Sequence, residues 1–370
     1  MSRNGRIGAT GAGLMSQTRQ RIRFLRASDG AQLAWGEAGE GPLLVKASNW
    51  MTHLEFEWES PVWRHWMRFL SAHFRFVRYD ERGCGLSDRD PPTLSAERWA
   101  SDFEEVCETV RTEEPFAILG ISQGSLACIH YAVRHPERVS RMILYGAYAR
   151  GYMRRGNADT VREYRAIVEA VRVGWGKDNP AFRQLFTSRF IPEGTAEQVA
   201  WFNELCRKTV APAMAADLLQ MRGEVDIVDL LGQVRVPTLV IHAAEDNVIP
   251  ATEGRLLASS IPGAQFVELE SKNHILLEHE PAWTRFQEAV LEFAGAAAAR
   301  SDDHAFSALS PREREVLALL SDGLDNGQIG ERLSISEKTV RNHVSSVYDK
   351  LGVWTRAQAV VFAREHGFRG

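Results

Sequence analysis

The sequence predicts an α/β domain with a helical cap, followed by a small all-α domain, and three observations carry that prediction. Short strand-type runs alternate with helix-compatible stretches from about residue 21 to 295, the strand signal stops between about 151 and 225, and residues 309–351 parse into short capped helices. A chain of 370 residues suits one large domain plus one small one.

Taken in order, residues 1–19 are basic and glycine-rich without the apolar stretch of a secretory signal, and are expected to be a disordered tail. Ile22 to Leu25, a Ser-Asp-Gly turn, Gln32 to Trp35 and Leu43 to Ala47 read as a meander of strands. Strand-like runs then follow at Phe74 to Tyr79, Phe116 to Ile121, Met142 to Tyr145, Thr238 to His242 and Phe266 to Leu269, with helical stretches between them. Several of these runs are apolar throughout, which indicates a mostly parallel sheet covered on both faces. The Arg-, Trp- and Phe-rich segment 151–225 is the expected cap, within a domain spanning 20–295. Residues 296–306 are expected to be a linker, because 294–305 are small and polar with no aromatic anchor, and 307–370 form the second domain.

Composition excludes some classes of function. With 44% hydrophobic and 25% charged residues and a net charge of -4, the chain is a soluble globular type. No apolar run approaches the roughly 18–20 residues of a membrane helix, so no membrane partner is expected. The near-balanced charge says little about nucleic acid, since a small recognition domain can be basic inside an acidic chain. Cys84, Cys107, Cys128 and Cys206 lie far apart, which predicts a reduced, cytoplasmic setting without disulfides. His279 and Glu280 follow His274, yet no His-Glu-x-x-His pattern is present; neither a metal nor another cofactor is expected.

Residues 119–125, Leu-Gly-Ile-Ser-Gln-Gly-Ser, hold Gly-x-Ser-x-Gly between an apolar strand and a helix-compatible run. That context puts Ser122 on a sharp strand-to-helix corner, with Gly120 and Gly124 where side chains would strike the neighbouring elements. A serine hydroxyl needs a base to take its proton and an acid to orient that base. Asp246 follows the strand Thr238 to Ala243 and His274 follows the next strand, giving the order Ser, Asp, His. With the loop Tyr79-Asp-Glu-Arg-Gly-Cys-Gly-Leu-Ser-Asp, residues 21–295 resemble the α/β-hydrolase superfamily. The resemblance implies a catalytic Ser122–Asp246–His274 triad beneath a lid.

One segment departs from that pattern. Where many members carry His-Gly after the third strand, this chain has Ala47-Ser48, followed by Asn49-Trp50. The expected oxyanion donors are the backbone N–H of Gln123 and that of Asn49 or Trp50. Four of the ten tryptophans fall between Trp50 and Trp66. Some are core, and others are expected to line a pocket for an apolar or aromatic small molecule, formed by Trp50, His53, Ser122 and His274.

In the second domain Ser310, Asp325 and Ser336 each stand where an N-cap belongs, with Pro311 at a first helical position, Glu313 completing a capping box and Gly323 ending the first helix. The tight Ser334-Ile335-Ser336 connection makes the last two helices a helix-turn-helix. Val340, Val344, Val347 and Leu351 form one buried face, leaving Lys338, Thr339, Arg341, Asn342 and Ser345 as candidates for base and phosphate contacts. Leu-Ser-Pro-Arg-Glu-Arg-Glu-Val-Leu, Ile-Ser-Glu-Lys-Thr-Val-Arg-Asn-His-Val and Lys-Leu-Gly-Val together resemble the DNA-binding domain of the LuxR (GerE-like) family. The resemblance implies a fourth helix at about 355–366, a homodimer and double-stranded DNA with two half-sites. Gly327 and Gly330 stand where members commonly have a lysine and a small non-glycine residue, so a soft second helix is expected.

Two functions follow from these domains. The first is a DNA-binding transcriptional regulator whose α/β-hydrolase-fold domain binds a small-molecule signal, with slow hydrolysis of that signal left open. The second is a serine hydrolase of esterase or lactonase type with an accessory DNA-binding domain. Whether the protein is an enzyme stays open at this point, since the triad is intact and the donor segment unusual.

Overall fold

A computed structural model describes residues 20–110, 112–295, 306, 309–351, 353, 355–365 and 368. The expected tail 1–19 and nearly all of the expected linker 296–306 lie outside them. Residue contacts divide the chain into two units, Met1–Trp283 and Thr284–Gly370.

The first unit is built on eight strands: β1 (Arg21–Arg26), β2 (Gln32–Ala38), β3 (Leu43–Lys46), β4 (Arg75–Tyr79), β5 (Phe116–Ile121), β6 (Val139–Tyr145), β7 (Thr238–Ala243) and β8 (Gln265–Leu269). They form one sheet in the order β1-β2-β4-β3-β5-β6-β7-β8. β1 and β2 are antiparallel to their neighbours, and the remainder run parallel. Every strand read from the sequence is present. The central strands are buried on both faces, as Ile118, Leu119, Ile143, Leu144, Val240 and Ile241 show, which is why they read as continuous apolar runs.

Helices α1 (Leu54–Trp58) and α2 (Arg64–His73) connect β3 to β4, and α3 (Ala96–Thr109) leads into β5. α4 (Gly124–Arg134) follows β5 directly. The segment between β6 and β7 is helical as expected: α5 (Tyr152–Arg155), α6 (Ala158–Gly174), α7 (Ala181–Phe190), α8 (Ala196–Thr209), α9 (Pro212–Glu224) and the short α10 (Val228–Leu231). Local chemistry sets its starts, since Asn157 caps α6 and Thr195 with Gln198 forms a capping box on α8. α11 (Ala251–Ser260) joins β7 to β8, and α12 (Pro281–Ala294) runs across the division between the two units.

The second unit contains α13 (Pro311–Ser321), α14 (Asn326–Leu333), α15 (Glu337–Leu351) and α16 (Arg356–Glu365). Ser310 with Glu313 and Asp325 with Gln328 form complete capping boxes, and Ser336 accepts the Thr339 amide at 3.1 Å. Val340, Val344, Val347 and Leu351 are all buried on one face of α15. Phe306, the last residue of the expected linker, is instead 1% exposed and packs with Leu309, Leu317, Val347, Leu351, Ala359 and Ala363. Its aromatic ring made it a core residue that the small, polar character of its neighbours hid.

Candidate active site and nucleic-acid interface

The candidate side chains of the first unit all follow the carboxyl ends of parallel strands. Ser122 follows β5, Asp246 the end of β7, and His274 the end of β8, while Ala47 to Trp50 follow β3 beside β5. Ser122 has φ 53, a left-handed conformation that costs a non-glycine residue strain and is typical of a serine raised on an elbow. Its amide donates to the Tyr145 carbonyl at 2.9 Å, which anchors the corner to β6. The two flanking glycines are there for space. A Cβ on Gly120 would stand 2.6 Å from Ser125 Cα, and one on Gly124 2.7 Å from the Ser48 carbonyl oxygen.

His274 Nδ1 and Asp246 Oδ2 are 2.6 Å apart. The other carboxylate oxygen accepts the amides of Val248 and Ile249 at 2.7 and 2.9 Å, so the acid is fully oriented. Burial acts to raise the Asp246 carboxyl, but the His274 ring and its hydrogen bond, with His242 and the Ile249 amide, hold it below the usual value. His274 Nε2 is buried and has no hydrogen-bond partner. That is the nitrogen a serine nucleophile would use, and it is unengaged.

Three residues with no role in the site assigned from the sequence hold this histidine. Gly146 has φ 56, and a Cβ there would lie 3.0 Å from His274 Cε1, so only glycine passes the ring at the end of β6. Glu280 accepts from the Ser271 hydroxyl and from the Leu277 amide, closing the loop that carries His274. Phe190, the last residue of α7, meets the imidazole edge-on at 5.3 Å, and its carbonyl accepts the amides of both His274 and Ile275. The glycine that directly follows β6 is a signal in the sequence that could have pointed here.

The donor segment is tied down. Lys46 is buried and bonds the Asn49 side chain, with burial bringing its ammonium down to about 8. Asn49 Nδ2 donates to the Trp50 carbonyl at 3.4 Å, and the Trp50 amide donates to Gln123 Oε1 at 2.8 Å. Of the expected oxyanion donors, then, the Trp50 amide is occupied by the side chain next to the nucleophile. The amides of Gln123 and Asn49 are the ones left for an oxyanion.

Ser122 opens into a cavity lined by Trp50, Gln123 and Tyr148 from the strand side and by Tyr164, Phe186 and Leu219, among others, from the cap. It encloses about 600 Å³ between atoms, its mouth included. Two expected lining residues are placed elsewhere. His53 caps α1, its Nδ1 accepting the Phe56 amide at 3.3 Å, and His274 sits beside Phe190 rather than on the cavity wall. Of the clustered tryptophans only Trp50 lines the cavity, whereas Trp63 and Trp66 pack in the core, where Trp66 Nε1 donates to the Leu276 carbonyl.

In the second unit Lys338, Arg341, Asn342 and Ser345 are exposed on α15, and Thr339 is half-buried. Thr339 is spent partly on structure, since its hydroxyl lies 2.8 Å from that of Ser336 at the helix start. Arg341 pairs with Glu337 at 3.2 Å across one turn, an exposed pair that yields readily to a phosphate or a base. Gly330 has a reason the sequence did not reveal: a Cβ there would stand 2.8 Å from the Ile335 carbonyl oxygen, where the turn folds back on α14. Ser334, at φ 54, makes that turn.

Comparison with known proteins agrees with both halves. A family model described as alpha/beta hydrolase fold matches residues 56–281, and one described as bacterial regulatory proteins, luxR family, matches residues 307–363. A putative carbamate hydrolase, RutD, of Azorhizobium caulinodans is 28% identical over 239 residues, covering 63% of this chain and 86% of that protein. The DNA-binding transcriptional activator DevR/DosR of Mycobacterium tuberculosis is 52% identical over 59 residues, covering 16% of this chain and 27% of that protein. Among solved structures, a hydrolase from Pseudomonas aeruginosa PA01 is similar with a TM-score of 0.61 at 26% identity, covering 74% of this chain and 98% of that one.

Proposed function

Because this chain belongs to the alpha/beta hydrolase fold family and carries a DNA-binding domain of the LuxR family, we propose that it is a transcriptional regulator in which a small molecule bound beside Ser122 changes how the protein engages DNA. The observation that carries the reading is the cavity itself. It joins Ser122 to residues of α5, α6, α7 and α9, so an occupant would touch the elbow and the cap together. A ligand can shift DNA binding only through unequal affinity for two states of the protein, and the cap is the element such a ligand would bias.

Slow hydrolysis of the ligand is a second reading of the same site, and the 2.6 Å contact between His274 and Asp246 favours it. In that chemistry Ser122 Oγ attacks a carbonyl carbon and His274 Nε2 takes the hydroxyl proton. The Gln123 amide then holds the oxyanion. By name, one relative is a putative carbamate hydrolase, and another, from Xenorhabdus hominickii, is a pyrrolizixenacetamide deacetylase. The occupied Trp50 amide is a reason for slow turnover.

The regulator is further proposed to act as a homodimer on paired half-sites, in the cytoplasm. Four free, buried cysteines suit a reducing compartment, and among the described residues no helix is long and apolar enough to cross a membrane.

The test uses the full chain with a serine-reactive fluorophosphonate and a panel of esters and lactones, comparing the parent with Ser122→Ala. Ligand-dependent change in affinity for an operator selected from random DNA supports the regulator. Rapid turnover lost in Ser122→Ala, with DNA affinity indifferent to every ligand, overturns it in favour of the hydrolase.

A further inference from the structure

The polar lining of the Ser122 cavity is one-sided. Its two charged side chains are Arg189 and Arg222, and no carboxylate lines it. Arg222 is 6% exposed and lies against the rings of Trp50 and Trp99, at 4.4 and 5.3 Å. Its Nη2 donates to both oxygens of Glu81 at 2.5 Å, a head-on pairing that uses one nitrogen of three. Nε and Nη1 are buried and have no partner.

Two more buried donors, on residues that line the same cavity, also lack acceptors: Gln123 Nε2 and Trp50 Nε1. Buried donors are normally satisfied, and unmet ones in a native site call for an explanation. Two further arginines stand around them. Arg189 bonds the Tyr152 hydroxyl and the Asn247 carbonyl, and its ion pair with exposed Glu163 is 3.6 Å long. Arg155 stacks on Tyr148 and Tyr152, with its nitrogens on the carbonyls of Arg150 and Val248. The carboxylates nearby are engaged: Glu81 is held by Arg222, exposed Glu163 faces Arg189, and Asp246 is held by His274 and the Val248 and Ile249 amides.

We propose that the cavity takes an organic acid, an apolar body carrying a carboxylate that the Arg222, Gln123 and Trp50 donors receive. A carboxylate offers about four lone-pair sites and no donor, which complements the unmet donors on Arg222, Gln123 and Trp50, and the rings and aliphatic side chains of the cap take the apolar part. Glu81 is then a positioning residue, holding the guanidinium over the Trp50 ring so that its remaining nitrogens stay free. This inference rests on the reading of the cavity as a ligand site.

The test titrates the intrinsic tryptophan fluorescence of the full chain with 4-phenylbutyrate, its primary amide and its methyl ester, which share one apolar body. The acid should bind at least tenfold more tightly than the amide. That preference should vanish in Arg222→Gln, and also in the Arg222→Gln, Glu81→Gln double variant, which leaves no unpaired buried carboxylate if the single change disturbs folding. Equal affinity for acid and amide in the parent, or a preference surviving in both variants, overturns the proposal. Ester or amide binding that alters DNA affinity while the acid does nothing also overturns it, and leaves the regulator standing. Silence from all three probes counts against the cavity as a site for apolar acids.

Discussion

The Trp50 amide donates to Gln123 Oε1 at 2.8 Å, so the residue beside the nucleophile occupies a donor in the segment where the fold family keeps its second oxyanion contact. The contact links the loop after β3 to the start of α4. It also means that Gln123 acts twice on one small volume, through its own amide and through the neighbour it holds.

Replacing that side chain separates occupation from support. In Gln123→Ala the Trp50 amide becomes available, and one oxyanion donor is worth about a hundredfold or more in rate. We expect fluorophosphonate labelling of Ser122 to accelerate about tenfold or more, with a Ser122→Ala control showing no label. Slower labelling would mean that Gln123 orders the segment rather than blocking it.

The second unit carries its own pH dependence at Glu313. Its carboxylate accepts from Lys350 Nζ at 2.7 Å, from the Ser346 hydroxyl at 2.6 Å and from the Ser310 amide at 2.6 Å, and these bonds, Lys350 first, bring it down to about 2. A carboxyl lowered in the folded state stabilises above its unfolded value near 4.5 and loses that contribution as pH falls toward 2. Glu313→Gln should cost on the order of 1–3 kcal/mol at neutral pH. Amide hydrogen exchange in α13 to α15 of the full chain should show it, together with a flatter response between pH 4.5 and 2 than the parent gives.

Gly330 sets propensity against packing. Alanine is the better helix former by about 1 kcal/mol, yet the added carbon meets a backbone oxygen that cannot swing aside. Gly330→Ala is therefore expected to destabilise by about 1–3 kcal/mol, as overpacked sites do. A rise in the melting temperature would show that the turn at Ser334 relaxes freely.

Arg341 is exposed and holds only Glu337 across one turn. Arg341→Ala should weaken binding to the selected operator, and if the contact is to phosphate, the slope of log K against log salt should fall by about 0.9. Operator affinity unchanged across a salt series would remove that face of α15 from the interface.

Most of this architecture was legible in the sequence because its signals are local. The strands of the parallel sheet announce themselves as apolar runs, and the helices of the second unit begin at Ser310, Asp325 and Ser336 because each side chain caps a helix within three residues. Ser122, Asp246 and His274 were legible through order and through the strand ends that carry them. What the sequence did not disclose depends on partners distant along the chain. Arg222 looks like one more charge on a helix until α9 brings it to Glu81 and Trp50, and Glu280 looks like a surface acid until it closes the His274 loop. His53 illustrates the reverse error, a ring next to the tryptophan cluster that serves its own helix instead of the cavity.

Phe190 gives the cap a direct say over the triad. Its carbonyl takes the amides of His274 and Ile275 together, at 2.9 and 3.2 Å, while its ring lines the cavity and faces the imidazole. A guest that lifts the end of α7 therefore has two outcomes open to it: the histidine travels along, or two main-chain bonds break. On the proposed reading, occupancy of the cavity and the placing of the histidine would be coupled by a joint one residue wide, and a ligand that moved the roof would also move the base beneath it.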